Sequence, residues 1–201
     1  MPFAVELYFD RETDEAIRGL WGALDTSGSP GHGEDTAHPH VSLVVSDGHQ
    51  PGRLREDLAK LDWASLRTLR FGAIGYFADP GVLYLAANPS VPLLNLQQDT
   101  YDIVARRDPA QVRSYYRPGN WTPHCTLAMP LEPHQLPHAI EAIGGGMDTI
   151  HARITGVGMW SLGDHQPWKL DLDGPAPTGC TEQVVDLRDR DPSARPAWRN
   201  R

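Results

Sequence analysis

The sequence predicts an α+β fold built from two similar halves, and three observations carry this prediction. Short apolar stretches with period two, typical of strands, alternate with amphipathic stretches at helical spacing. The order strand–helix–strand occurs twice along the 201 residues. A five-residue motif, Pro-His-x-(Ser/Thr)-Leu, also occurs twice, once in each predicted half.

The first predicted half begins with a strand over residues 3–9, where apolar side chains alternate with Ala, Glu and Tyr. After Asp10, apolar residues recur at helical spacing and predict a helix through Ile17, Leu20, Trp21 and Leu24. The composition of residues 26–37 predicts a loop. A short apolar strand is then expected from His40 to Val45.

The remaining elements follow the same patterns. A second helix is expected from Pro51 to Leu61, then two strands over 66–77 and 82–87 joined by a turn at 79–81. The second half then has a helix at 91–107, a loop at 113–122, a strand at 124–129, a helix near 134–143 and two late strands around 150–154 and 168–172. We therefore expect one bilobal catalytic domain over residues 1–172. Residues 173–201 are expected to form a C-terminal extension, with an edge strand near 184–187 and a mobile tail.

Composition narrows the classes of function. With 18 basic and 26 acidic residues the formal charge is −8, which disfavours binding of long duplex nucleic acid. No apolar run is long enough to span a membrane, and the first residues do not resemble a secretory signal. The two cysteines stand in unlike contexts and predict no disulfide framework. We expect a cytoplasmic monomer that binds no membrane.

The repeated motif carries the chemical information. His40 and Ser42 stand in one copy, His124 and Thr126 in the other, and the two histidines are 84 positions apart. In a strand, residues i and i+2 share a face, so each copy presents an imidazole beside a hydroxyl. If the halves are related by a pseudo-twofold axis, the two pairs face one cleft.

Two histidines on either side of one phosphorus suit phosphoester cleavage. One imidazole accepts a proton from the attacking oxygen and the other gives a proton to the leaving oxygen. Hydroxyl groups can donate hydrogen bonds to the nonbridging oxygens, where charge accumulates. This scheme requires no metal and no cofactor, and the sequence does not say which histidine is the acid.

The segments HVSL at 40–43 and HCTL at 124–127 resemble the two H-x-(S/T)-Φ motifs of the 2H phosphoesterase superfamily. The likeness is greatest to its bacterial 2′,5′ RNA ligase and cyclic phosphodiesterase branch. The resemblance implies His40 and His124 as the catalytic pair and Ser42 and Thr126 as phosphate-binding residues. It also implies a bilobal pseudo-twofold fold, with two antiparallel sheets lining a central cleft and helices outside. The implied substrates are 2′,3′-cyclic phosphates or 2′,5′-linked nucleotides and RNA ends, with RNA ligation as the reverse reaction.

The loop before the second motif is a candidate for binding the nucleotide. Arg106 and Arg107 precede this loop, and Arg113 and Arg117 lie within it. The loop also contains Tyr115, Tyr116 and Trp121. An aromatic ring that stacks on a base beside an arginine at the phosphate is typical of single-strand recognition. Tyr116 and Arg117 lie nearest the motif and are the predicted substrate-binding residues.

Other histidines and Cys125 have alternative interpretations. His38 is two residues before His40, and could orient a phosphate, help to bind a metal or simply begin the strand. His134 and His138 have the i, i+4 spacing of a metal pair, but prolines interrupt the helix and a solvated face is favoured. Cys125 is expected to point away from the cleft. Trp160 and Trp168 either wall the cleft or pack in a hairpin.

Two further functions remain open at this point. One is a nucleotide-binding module that has the cleft without turnover. The other is a metallohydrolase that uses His38, His40 and His124.

Overall fold

The computed structural model describes residues 2–29, 38–48, 53–106, 108–144, 148–161 and 164–173, with the backbone alone for residues 161 and 164–168. The predicted edge strand near 184–187, the predicted tail and Arg107 lie outside the described residues.

The described residues form seven strands and four α-helices. The strands are β1 (Phe3–Phe9), β2 (His40–Ser46), β3 (Thr68–Phe77), β4 (Val82–Ala87), β5 (His124–Ala128), β6 (Ile150–Ser161) and β7 (Asp164–Asp171). The helices are α1 (Arg11–Thr26), α2 (Leu54–Leu58), α3 (Val91–Ala105) and α4 (Leu136–Ala142). The order β1–α1–β2 recurs as β4–α3–β5, which confirms the repeated strand–helix–strand unit. No helix of the described residues is long and apolar enough to cross a membrane.

All strand pairs are antiparallel, and the order across the sheet is β2-β1-β6-β3-β4-β5, with β7 also paired to β6. The long strand β6 joins the two halves: residues 150–153 pair with β3, and residues 154–161 pair with β1. The two predicted antiparallel sheets are therefore the two halves of one seven-stranded arrangement. This confirms the α+β class.

The strands that carry the two motifs, β2 and β5, lie at opposite ends of the sheet order and yet contact one another. Each is also supported by the helix of the other half. In α1, the indole Nε1 of Trp21 donates to the Thr126 carbonyl at 3.1 Å. In α3, the Gln97 side-chain amide donates to the Leu43 carbonyl at 3.3 Å. This exchange of helices holds both motif strands against the same core.

Local sequence signals account for the two long helices. Asp10 caps α1 by accepting from the Thr13 backbone N–H, and Ser90 caps α3 by accepting from the Leu93 backbone N–H. The late strands are longer than predicted. The glycines in residues 155–161 interrupt the alternating pattern, but these residues pair with β1 and are part of β6. Helix α2 is shorter than predicted and is followed by a 3-10 turn at Trp63–Ser65.

Candidate active site

The two motif histidines are anchored by the same backbone contact. Nδ1 of His40 lies 2.8 Å from the carbonyl oxygen of His38, and Nδ1 of His124 lies 2.7 Å from that of Thr122. A carbonyl only accepts, so Nδ1 carries the proton in both rings. In both rings the carbonyl therefore binds Nδ1 and leaves Nε2 for other partners.

The structure brings the two motifs together from the opposite ends of the sheet. The indole Nε1 of Trp121, just before β5, donates to the Ser42 carbonyl at 3.1 Å. The Cys125 thiol lies close enough to the backbone of His40 for that backbone to lower the pKa of the thiol, against the larger effect of burial. His40 is also close enough to His124 for its charge to contribute to lowering the pKa of His124. The two histidines thus belong to one site.

A cavity of about 290 Å³ opens beside the second motif. His124, Thr126 and Tyr116, all predicted site residues, line it. The predicted Arg117 is exposed and does not line it, whereas Arg113 from the same loop does. The remaining lining residues are Phe77, Asp79, Pro80, Val82, Tyr115, Asn120, Thr122 and Met129.

Tyr116 connects this cavity to the first motif. The side chain of Ser42 lies close enough to the Tyr116 hydroxyl to oppose the rise in the pKa of Tyr116. The Tyr116 carbonyl accepts from the Gln97 side-chain amide at 2.7 Å, and Gln97 also contacts β2 through Leu43. Burial raises the pKa of Tyr116, and the negative charge of Glu6 adds to this effect. Tyr116 therefore remains a neutral hydroxyl at the junction of the two motifs.

An aromatic wall surrounds His124. The rings of Phe77 and Tyr84 stack with centroids 4.2 Å apart, and the His124 ring meets them edge-on at 5.1 and 5.3 Å. Gly75 allows this arrangement, since a Cβ there would overlap the Tyr84 ring. Burial lowers the pKa of His124, and His40 lowers it further, against the opposing effect of the Thr122 carbonyl. The neutral imidazole is therefore favoured.

His40 has a different neighbour, the buried carboxylate of Glu6. In the β1–β2 register Glu6 lies opposite Ser42, and Tyr8 lies opposite His40. One Glu6 oxygen is 3.5 Å from Nε2 of His40, while the other is 3.2 Å from Nε2 of His38 and accepts from the Tyr8 hydroxyl. Burial raises the pKa of Glu6, but the two histidines and Tyr8 outweigh it, so that the pKa lies below its usual value. Glu6 is therefore ionised at neutral pH.

The sequence pattern does not predict a role for Glu6, because the alternation in residues 3–9 is typical of a strand with one polar face. In the structure all seven residues of β1 are buried. One feature of the sequence could have indicated Glu6. Glu6 and Tyr8 are two residues apart in a predicted strand, as are His40 and Ser42, and both strands belong to the same strand–helix–strand unit.

Arg113 is held at the cavity by a two-point ion pair. Its Nε and Nη2 donate to Oδ1 of Asp47 at 3.0 and 2.8 Å. The hydrogen bond to Asp47 raises the pKa of Arg113, and that to Arg113 lowers the pKa of Asp47. The guanidinium is thus oriented before any substrate binds.

The remaining candidates of the sequence take other positions. Cys125 is buried, and burial raises the pKa of its thiol to about 12, which makes it a packing residue. His138 makes a hydrogen bond to the Ser27 carbonyl at 3.0 Å, while His134 lies in the 3-10 turn before α4. The Trp160 ring lies 5.3 Å from the His38 ring, and the side chain of Trp168 is outside the described residues.

Among the residues that the structure describes, one group can supply three ligand atoms to a metal ion. It consists of Glu6, His38 and His40, whose donor atoms all lie within 4.8 Å of one another.

A pseudo-symmetric α+β fold with a histidine and a hydroxyl from each half is the framework of a two-histidine phosphoesterase. Comparison with family models agrees: residues 10–166 match the model of the 2′-5′ RNA ligase superfamily. The chain belongs to this superfamily, which confirms the predicted place among the 2H phosphoesterases. No curated protein matches the chain.

Solved structures share the fold. TT0787 of Thermus thermophilus has a TM-score of 0.54 and 17% identity, and covers 86% of this chain and 96% of its own. LigT of E. coli, solved in complex with 3′-AMP, has a TM-score of 0.53 and 12% identity, with coverages of 85% and 93%. A protein described as a phosphoesterase has a TM-score of 0.53 and 16% identity, with coverages of 85% and 95%. Membership of the superfamily supports phosphoesterase activity for this chain.

Proposed function

We propose that this protein is a metal-independent phosphodiesterase that acts on 2′,3′-cyclic phosphates or 2′,5′-linked nucleotides. The proposal is supported above all by the matched anchoring of His40 and His124. Two strands from different halves present Nε2 of an imidazole to one site, with Nδ1 held by a carbonyl two residues earlier. Two such nitrogens suffice for both proton transfers of phosphoester hydrolysis.

The surroundings of the two rings suggest different roles. His124 is buried against Phe77 and Tyr84, where the neutral ring is favoured, so it is suited to accept a proton. His40 has its Nε2 3.5 Å from the buried carboxylate of Glu6 and lies across the site from the buried ring of His124. We assign His124 as the general base and His40 as the general acid for hydrolysis.

In this scheme His124 takes a proton from a water molecule as its oxygen attacks phosphorus. The bond from phosphorus to one ribose oxygen breaks, and Nε2 of His40 donates a proton to that oxygen. The products are a phosphate monoester and a free ribose hydroxyl, so the net change is the addition of one water. The same steps on a 2′,3′-cyclic phosphate, with the 5′-hydroxyl of a second ribose in place of water, form a 2′,5′-phosphodiester and release the 3′-hydroxyl, which is ligation.

The other residues of the cavity are suited to bind the substrate. Thr126 shares the face of His124 and can donate to a nonbridging oxygen, as can Ser42 beside His40. Arg113 supplies a fixed positive charge for a phosphate, and the exposed ring of Tyr115 can stack on a base. The Tyr116 hydroxyl, beside the Ser42 side chain, is a further candidate donor to the substrate.

Incubation with a 2′,3′-cyclic nucleotide and with a 2′,5′-dinucleotide, in the presence of a chelator, tests the proposal. We expect turnover of at least one substrate, and a loss of about 10²–10⁴-fold in kcat for His40→Ala and for His124→Ala. His134→Ala, which removes an exposed histidine that lines neither cavity, is the matched control and should retain full activity.

The outcomes separate the proposal from its alternatives. Binding of both nucleotides without product would identify a nucleotide-binding module. Activity that is lost to the chelator and restored by Zn²⁺ would identify a metallohydrolase. Full activity in either alanine variant would remove that histidine from the mechanism.

A further inference from the structure

Beside His40 lies a set of donor atoms that the two-histidine scheme does not use. Glu6 contributes a carboxylate, and His38 and His40 each direct Nε2 towards it. The imidazole of His38 has no part in the proposed hydrolysis, although the His38 carbonyl anchors the ring of His40. We propose that Glu6, His38 and His40 form a binding site for a divalent transition-metal ion such as Zn²⁺.

The spacing of the donor atoms fits such an ion. Bonds of about 2.0–2.2 Å at tetrahedral angles place neighbouring ligand atoms about 3.3–3.5 Å apart. One Glu6 oxygen lies 3.2 Å from Nε2 of His38 and the other lies 3.5 Å from Nε2 of His40. One donor atom from each of the three residues lies within 4.8 Å of the other two. Two imidazoles and one carboxylate are the ligand set of many three-ligand zinc sites, with a fourth position open.

The supporting contacts are those that orient metal ligands. The Nδ1 proton of His40 is donated to the His38 carbonyl at 2.8 Å, which turns Nε2 towards Glu6. The Tyr8 hydroxyl donates to Glu6 at 3.2 Å and so holds the carboxylate in place. The His40 ring and the Glu6 carboxylate are thus oriented before an ion binds.

The site is accessible although its carboxylate is buried. The Glu6 side chain is 6% exposed, whereas those of His38 and His40 are 27% and 25% exposed. A second cavity of about 250 Å³ opens beside His38 and is also lined by Tyr8, Phe9, Asp14, Pro39 and Lys169. An ion can therefore reach both imidazoles from solvent and meet the buried carboxylate behind them.

Binding there has a consequence for the proposed hydrolysis, and this part of the inference rests on the proposed function. An ion on Nε2 of His40 takes the nitrogen that donates the proton to the leaving oxygen. The metal-bound protein should therefore be inactive towards cyclic phosphates, and Zn²⁺ is an inhibitor of the enzyme rather than its cofactor.

Calorimetric titration of the chelator-stripped full chain with Zn²⁺ tests the binding. We expect one ion per chain, with a heat that depends on the buffer because ligand protons are released. His38→Ala should weaken the affinity at least about a hundredfold, since loss of a ligand exceeds the usual effect of an outer contact. His134→Ala is the control with the same chemical change and should bind like the wild type.

Co²⁺ provides a second measurement that does not depend on affinity alone. Its visible absorption reports a low-coordinate site of nitrogen and oxygen ligands, and we expect this band to be lost in Glu6→Gln and in His38→Ala. Absence of one-to-one Zn²⁺ binding in the wild type, or unchanged binding in His38→Ala, would overturn the proposal.

Hydrolysis of a 2′,3′-cyclic nucleotide tests the consequence. Stoichiometric Zn²⁺ should reduce the wild-type rate at least tenfold, whereas His38→Ala should keep the metal-free rate and resist the ion. Stimulation by Zn²⁺ would contradict the inhibitory role. If the chain binds one Zn²⁺ through His38 but hydrolyses none of the substrates, the metal site stands and the proposed function fails.

Discussion

Glu6 and Tyr84 occupy equivalent places in the two halves of the molecule. Each lies directly across the ladder from the hydroxyl residue of a motif, Glu6 opposite Ser42 and Tyr84 opposite Thr126. The repeat is thus symmetric in its histidines and hydroxyls but not in what lies beside them. A carboxylate lies beside one imidazole and an aromatic ring beside the other, so that two similar groups have different surroundings.

The acid limb of the pH–rate profile should reflect this asymmetry. His124 must be neutral to accept a proton, and its pKa lies below the usual 6.5, so activity should persist below pH 6.5. The titratable groups near it are His40, Tyr84 and Tyr116, with Asp79 and Arg113 at the cavity wall. An NMR titration of His124 beside the rate profile measures both quantities.

Tyr84→Ala and Tyr84→Phe form a matched pair that tests whether burial by the Tyr84 ring lowers the pKa of His124. The alanine variant admits water to His124, raises its pKa towards 6.5 and should move the acid limb to higher pH. The phenylalanine variant keeps the ring and should keep the profile. An alanine variant with an unshifted limb would show that burial by Tyr84 does not set the protonation of the base.

The hydroxyl of Thr126 should contribute to the rate and not to the fold. Thr126→Val keeps the shape and β-branching but removes the donor, and we expect kcat to fall about 10²-fold, as for loss of one donor to a developing charge. Thr126→Ser keeps the hydroxyl and should lose less than tenfold. Thermal denaturation of both variants should show a wild-type Tm, and equal losses of activity would argue against a hydrogen bond.

The position of the Tyr84 ring beside His124 requires a glycine at residue 75. A Cβ at this position overlaps the Tyr84 side chain, so Gly75→Ala must displace the ring and disturb its stack on Phe77. We expect the free energy of unfolding, measured in urea, to fall by about 1–3 kcal/mol. Gly19→Ala, in α1 with nothing near the added carbon, should instead raise it by about 0.5–1 kcal/mol. A Gly75→Ala protein as stable as the wild type would contradict the packing.

Arg113, and not Arg117, should bind the substrate phosphate. Arg113 lines the cavity and is held by Asp47, while Arg117 is exposed outside it. We expect Arg113→Ala to raise KM about tenfold or more, with a smaller change in kcat, since a charged hydrogen bond contributes about 1.5–3 kcal/mol.

Two further variants complete this comparison. Asp47→Asn loosens the guanidinium and should raise KM by less than Arg113→Ala does. Arg117→Ala changes a charge in the same loop and should leave KM unchanged. A larger increase in KM for Arg117→Ala than for Arg113→Ala would show that Arg117, the residue nearest the motif, binds the phosphate.

The sequence alone determined the class of fold and the two motifs. Period-two and helical spacing are local properties, so they predicted β1, α1 and the repeated strand–helix–strand unit. The repeat of a histidine and a hydroxyl at i and i+2 predicted two paired groups, because alternation in a strand decides which side chains share a face. The same local signals failed where glycines interrupt β6 and where helix α2 is short.

Tertiary structure decided which groups surround each histidine. The pairing of β1 with β2 and of β4 with β5 places Glu6 beside one motif and Tyr84 beside the other, and nothing in the spacing along the chain specifies a cross-strand register. The loop before β5 likewise brings Arg113 to the cavity and leaves Arg117 outside, although both are basic residues of one segment. Contacts between residues far apart in sequence depend on how the two halves close on each other, and only the folded chain defines that closure.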